Sequence, residues 1–227
     1  MKGFLKSLAI AAVMFAAQSC FFMGSDETQW VMGGGEIATN IANFDIDWLD
    51  GMVDIVYDER STVKFFEECD RPVSSDAALH HWFDGKTLHI RYGRHGARQE
   101  YASGKKLTIL LPDDFRCDYL ELTGTSVSSF IDMDCHHVNI QTTSGDVRYS
   151  CINTPADISI ETTTGPIDVL LDPAVASFKL VTRTNGKMTC EFPVTPKEGY
   201  YLYGKGITQI RLLSDRGPIG ILQNVAQ

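Results

Sequence analysis

One short pattern recurs through the second half of the chain every 20 residues, and it restricts the possible folds more than any other feature. Leu120 to Val127, Ile140 to Val147 and Ile160 to Ile167 begin 20 residues apart. So does Leu180 to Met188, which carries one extra residue before its glycine. A fifth copy, Leu212 to Ile219, follows an insertion running through Tyr200 to Gly206. A unit this small cannot bury its own apolar face, so its copies must stack; a fixed period of this length means a solenoid of parallel strands. Ile140, Ile160 and Leu180 are expected to form one inward ladder, and Val147, Ile167 and Met188 another. Thr142, Thr162 and Thr182 reach the corner, where hydroxyls bond along the column. Gly145, Gly165, Gly186 and Gly217 are the expected turn residues, supplying a backbone conformation that β-branched residues resist.

The first half shows period-two alternation of apolar and polar residues and no helical period. Phe44, Ile46 and Trp48 alternate, Asp50-Gly51 suggests a hairpin turn, and Val53, Ile55 and Tyr57 follow on one face. Phe83-Asp84-Gly85-Lys86 is a second turn opening Thr87 to Tyr92. The expected fold is all-β: strands over residues 37–112 continuing into a parallel β-solenoid of four to five coils over 113–227.

Residues 1–19 read as a secretory leader, with Lys2 and Lys6 before the short apolar run Leu8 to Ala17. Cys20 stands where a lipoprotein's first mature residue would carry its lipid. Residues 20–36, with Gly33-Gly34-Gly35, read as a flexible tether. Cleavage leaves 18 of the 20 basic side chains against 29 acidic ones, a net charge of about −11. That charge repels nucleic acid and anionic lipid, so contact with a membrane is expected only through the N-terminal lipid. Cys69, Cys117, Cys135, Cys151 and Cys190 are odd in number and show no CxxC spacing. Buried thiols are the expectation, and one bridge is compatible with export.

Phe44 to Val56, the strand around Leu88 and the repeated Ile-x-Thr-Thr-Ser-Gly-Asp-Val resemble the bacterial "putative adhesin" β-strand-repeat family, over roughly Ile37 to Ile221. The resemblance implies an exported lipoprotein folded as a right-handed β-solenoid, with no catalytic motif to carry over.

No nucleophile elbow, phosphate-binding loop or dinucleotide fingerprint occurs. Arg148 and Asp168, one repeat apart, are expected to pair as a surface ion bridge rather than act as a catalytic pair. His80-His81 and His136-His137 read as exposed loop histidines, because neighbours on a strand face opposite ways. No metal or other cofactor is expected. Tyr200, Tyr201 and Tyr203 are the candidate ligand contacts; the other reading of that insertion is a cover over the solenoid's edge. The expected function is a non-catalytic envelope lipoprotein, at the outer membrane, that binds a glycan or a protein. A periplasmic scaffold and a carbohydrate-active enzyme are the alternatives.

Overall fold

The structure, a computed structural model, describes residues 30–38, 40–94, 96 and 104–224. The leader and Cys20 lie outside the described residues. Among those described there are 19 strands and no helix. The first half contributes β1 (Val31–Met32), β2 (Gly35–Ala38), β3 (Asn43–Asp47), β4 (Asp50–Tyr57), β5 (Thr62–Glu68), β6 (His80–Asp84), β7 (Thr87–Arg91) and β8 (Lys106–Leu111). Then come β9 (Cys117–Asp132), β10 (Cys135–Ser144), β11 (Val147–Cys151), β12 (Asp157–Thr162), β13 (Ile167–Leu171), β14 (Phe178–Arg183) and β15 (Met188–Cys190). The chain ends with β16 (Thr195–Lys197), β17 (Tyr200–Tyr203), β18 (Thr208–Ser214) and β19 (Ile219–Gln223).

All 19 belong to one mixed, mostly parallel sheet, in which two parallel ladders can be followed. The first runs β7, β3, β9, β10, β12, β18, β14. The second runs β8, β4, β9, β11, β13, β19, β15. Strand β9 belongs to both, its first half pairing with β3 and β10 and its second with β4 and β11. Asp50-Gly51 is therefore no hairpin. β3 and β4 each pair in parallel with a different half of β9, and Gly51 (φ +92°) turns the corner between the ladders.

Apolar residues facing inward stack across the strands. One column runs Ile90, Ile46, Leu122, Ile140, Ile160, Leu212 and another Ile109, Ile55, Ile131, Tyr149, Val169, Ile221, all buried. Each such aliphatic side chain contributes about 1.5–3 kcal/mol by leaving water. The registers differ from simple 20-residue spacing at two places. Leu122, not Leu120, lies beside Ile140, and Leu180 lies beside Ile210 in the column of Val138 and Ile158. The fifth copy is also out of chain order: β18 lies between β12 and β14, so Ile160 meets Leu212. Chain returning from the 195–203 hairpin fills the gap that β14 leaves beside β12.

The repeat glycines occupy their positions for a different reason than expected. Only Gly145 has a positive φ (+104°); Gly165, Gly186 and Gly217 do not. A Cβ on Gly165 would sit 1.8 Å from the Gly145 carbonyl oxygen, and one on Gly217 would sit 1.9 Å from that of Gly165. Close backbone approach, not a special dihedral, is what excludes a side chain there. The corner hydroxyls bond both within and between turns. Thr162 Oγ1 accepts from Gly165 N and Ser214 Oγ from Gly217 N, at 3.0 and 2.8 Å, while Thr184 Oγ1 donates across to the Gly217 carbonyl at 2.6 Å and Ser144 Oγ to Ser126 Oγ at 3.2 Å.

Antiparallel strands cover most of the ladder ends. β6 lies along β7 and β5 along β8, with β1 and β2 outside them. At the far end β17 runs antiparallel to β14, with β16 outside it. Such covers keep a parallel edge from pairing with another chain. Gly33-Gly34-Gly35 joins β1 to β2 and packs on Phe65, so this part of the expected tether is built into the sheet.

Candidate functional site

Alternation along the first ladder turns one side chain in two outward. The middle outward row runs His89, Asp45, Glu121, Asn139, Ser159, Arg211, in register across six parallel strands. The flanking rows add Asp47, Asp157 and Glu161. The result is a broad polar face rich in carboxylates, its columns spaced by the distance between strands, about 4.8 Å.

An aromatic and ionic cluster closes one end of this face. Trp82 on β6 stacks on His89 of β7, centroids 4.0 Å apart and planes 8° from parallel. The Arg91 guanidinium lies 4.9 Å from the Trp82 ring, and Trp30 packs on it at 3.8 Å. Asp45 accepts from His89 Nδ1 at 2.6 Å and from Arg91 Nη2 at 2.8 Å. Burial works to raise the Asp45 pKa, but those hydrogen bonds and the arginine charge outweigh it and hold the carboxyl at about 2. Burial raises Asp47 and Glu121 above the ordinary carboxylate range, and the Asp45 charge adds to the effect. Three carboxylates side by side thus differ in proton affinity. Asp45 is locked into its ion pairs, while Asp47 and Glu121 are the more readily protonated of the three.

The candidate tyrosines lie elsewhere, on β17. Tyr201 and Tyr203 are half-buried and pack on the core; the Tyr203 ring is 5.0 Å from Phe192 and 5.4 Å from Phe178. Lys179 Nζ lies 4.6 Å over the Tyr200 ring. All three belong to the strand that covers β14. Arg148 and Asp168 are in register, but the Arg148 guanidinium lies over Phe130 on the other side, 5.5 Å from its centroid. The Asp168 carboxylate instead stands over Gly220, where a Cβ would come within 2.3 Å of it. His80 and His81 are buried rather than exposed, their Nδ1 atoms 2.8 Å from the carbonyls of Ala78 and Gly33. Among the described residues no group of three or more His, Cys, Asp or Glu side chains is placed to hold a metal ion. The Trp82, His89, Arg91 and Asp45 cluster was not foreseen. The alternation around Ile46 and Ile90 marks its members as outward-facing, but only the register across β6, β7 and β3 brings them together.

No family model matches the chain, and no curated protein matches it. Among solved structures, a putative cell adhesion protein from Clostridium sporogenes is similar over 84% of this chain and 100% of its own, with a TM-score of 0.63 and 16% identity. At that identity the likeness is one of fold. A putative adhesin from Bacteroides fragilis aligns over 86% of this chain and 97% of its own, with a TM-score of 0.32 and 8% identity, which carries no argument.

Proposed function

We propose that this chain is a non-catalytic adhesion module of the bacterial envelope, exported, held at the outer membrane by a lipid on Cys20, and binding a glycan or protein surface. The observation that carries the reading is the outward face of the first ladder, where carboxylate, amide, hydroxyl and imidazole groups repeat in register over six strands. A regular array of hydrogen-bonding groups on a stiff sheet suits a ligand that is itself extended and rich in donors. The fold shared with a putative cell adhesion protein supports the same direction. In this reading the chain winds as a right-handed solenoid, the hand that parallel crossover connections take.

The test is binding of the full-length protein to a glycan array and to bacterial and host cells, with and without protease treatment of the cells. A Glu121→Arg, Glu161→Arg variant is expected to lose at least tenfold in binding, while Arg148→Glu on the second ladder is not. Loss of cell binding after protease treatment assigns a protein ligand; binding that persists, together with array hits, assigns a glycan. Equal binding by both variants and the parent protein would remove this face from consideration.

A further inference from the structure

A cleft of about 600 Å³ opens at the corner where the chain passes from the second ladder back into the first. Arg116, Cys117, Asp134, Cys135, His136 and Asn153 are among its lining residues. Cys117 and Cys135 are the first residues of β9 and β10 and are in-register partners on those adjacent parallel strands. Neighbouring strands run about 4.8 Å apart, inside the separation of roughly 4.4–6.8 Å between Cα atoms that a disulfide spans. Their side chains also project alike. Each sulfur donates to the carbonyl two residues ahead, Cys117 to Tyr119 at 3.2 Å and Cys135 to His137 at 3.0 Å. The Cys135 thiol stands close enough to that of Cys117 to shift its titration. All five described cysteines are thiols in this structure.

We infer that Cys117 and Cys135 are an oxidation site, the dithiol from which a disulfide linking β9 to β10 is made. The oxidant is a disulfide donor, either a dithiol–disulfide oxidoreductase or a low-molecular-weight disulfide. One cysteine thiolate attacks the donor, forming a mixed disulfide and releasing one donor thiolate. The second cysteine thiolate then attacks the sulfur of the first and releases the other. One S–S bond forms in the protein and one breaks in the donor; two electrons and two protons pass to the donor, which leaves as two thiols. The neighbouring Cys135 thiol and burial raise the Cys117 pKa far above that of a free thiol, so Cys117 exchanges slowly in the folded protein. Oxidation accordingly belongs to folding, before the corner closes. Cys151 lies at the same corner, at the end of β11, but its in-register neighbour is Leu171.

The full-length protein is refolded in a glutathione redox buffer, alkylated under denaturing conditions and digested with trypsin. Cys117 and Cys135 fall in one peptide, residues 117–148, and Cys151 in the next, residues 149–179. The expected product is a 117–148 peptide with no alkyl group and two hydrogens fewer, beside an alkylated 149–179 peptide. Alkylation at both Cys117 and Cys135, or a link to the Cys151 peptide, overturns the inference. Melting gives an independent reading. Reductant should lower the midpoint of the oxidised protein by about 5–10 °C, while a Cys117→Ser, Cys135→Ser variant is unaffected. An unchanged midpoint in the parent protein also counts against the bridge.

Discussion

The Lys105 ammonium lies 2.9 Å from Glu67 Oε2 with the lysine side chain wholly out of solvent. Its Nζ also donates to the carbonyls of Ala77 and Tyr92, and it sits 4.0 Å from the Tyr92 ring centroid and 4.9 Å from that of Trp48. Glu67 Oε1 meanwhile accepts from Leu79 N at 2.8 Å. One buried cation thus ties β5, the start of β8 and the segments around Ala77 and Tyr92 to one point.

Removing one partner strands the other charge. Glu67→Gln is therefore expected to cost about 3–5 kcal/mol, and Lys105→Met less, because methionine fills the aromatic slot and the Glu67 carboxylate keeps its hydrogen bond from Leu79 N and 15% exposure to water. Urea denaturation of the two variants checks the order. A Glu67→Gln variant as stable as the parent would show that the surrounding carbonyls and rings satisfy the ammonium without it.

Asp45 gives the fold a dependence on acid whose sign is fixed. Its carboxyl is held at about 2, below the ordinary 3.8, so its stabilising effect is complete above about pH 4 and disappears as the pH falls toward 2. The side chain is 27% exposed, and the shift corresponds to about 2 kcal/mol. Asp45→Asn should lose that much at about pH 7 and far less at about pH 2.5. Asp47 and Glu121 are shifted upward and act in the opposite sense, since protonating them relieves the folded state. The Asn side chain also removes the Asp45 charge from both, which relieves part of their upward shift and trims the deficit at neutral pH without changing its sign. An equal deficit at both pH values would mean that the Asp45→Asn change is felt through packing alone.

Gly165 separates crowding from backbone conformation. Its φ is ordinary, yet a Cβ there would lie 1.8 Å from the Gly145 carbonyl oxygen, which is backbone and part of the next turn. Gly165→Ala is expected to cost about 3 kcal/mol or more. Gly199, at φ +79° in open space, is the comparison; Gly199→Ala should cost about 1 kcal/mol from backbone strain alone. Thermal melts of the two proteins decide it, and equal losses would refute the crowding account.

Much of the inner architecture is visible in the chain, because each inward column is written as alternation: Phe44-Asp45-Ile46, Leu88-His89-Ile90 and Ile158-Ser159-Ile160 are the same statement made on three strands. What alternation leaves open is the order of the strands. Copies with similar inward residues pair about equally well with one another, so nothing local in Leu212 to Ile219 says that it lies between the copies at 160 and 180. That depends on the hairpin of β16 and β17 turning the chain back along β14. The two-residue offsets at Leu122 and Leu180 escape notice for a related reason. Period-two patterns look the same after a shift of two, and only the corner turns fix the register. The outward cluster around Asp45 is hidden for a third reason, since its members come from strands up to 46 residues apart.

The exposed end of an inward column shows what that order costs. Thr182 lies beside Leu212, one strand beyond the last aliphatic residue of the column that begins at Ile90. Its Oγ1 is buried without a hydrogen-bond partner. A hydroxyl cut off from water and left unbonded destabilises by about 1–3 kcal/mol. Valine has nearly the same shape and carries the column one residue further, so Thr182→Val is expected to stabilise the protein by about 1 kcal/mol. β17 covers β14 only from Phe178 to Leu180, so Thr182 lies just beyond that cover, and the gain should appear in the unfolding midpoint without a change in oligomeric state. A rise in urea midpoint at constant slope, with an unchanged elution volume, is the expected result. A fall in stability would mean that the hydroxyl finds a partner in solution, and the end of the column would then be wet rather than sealed.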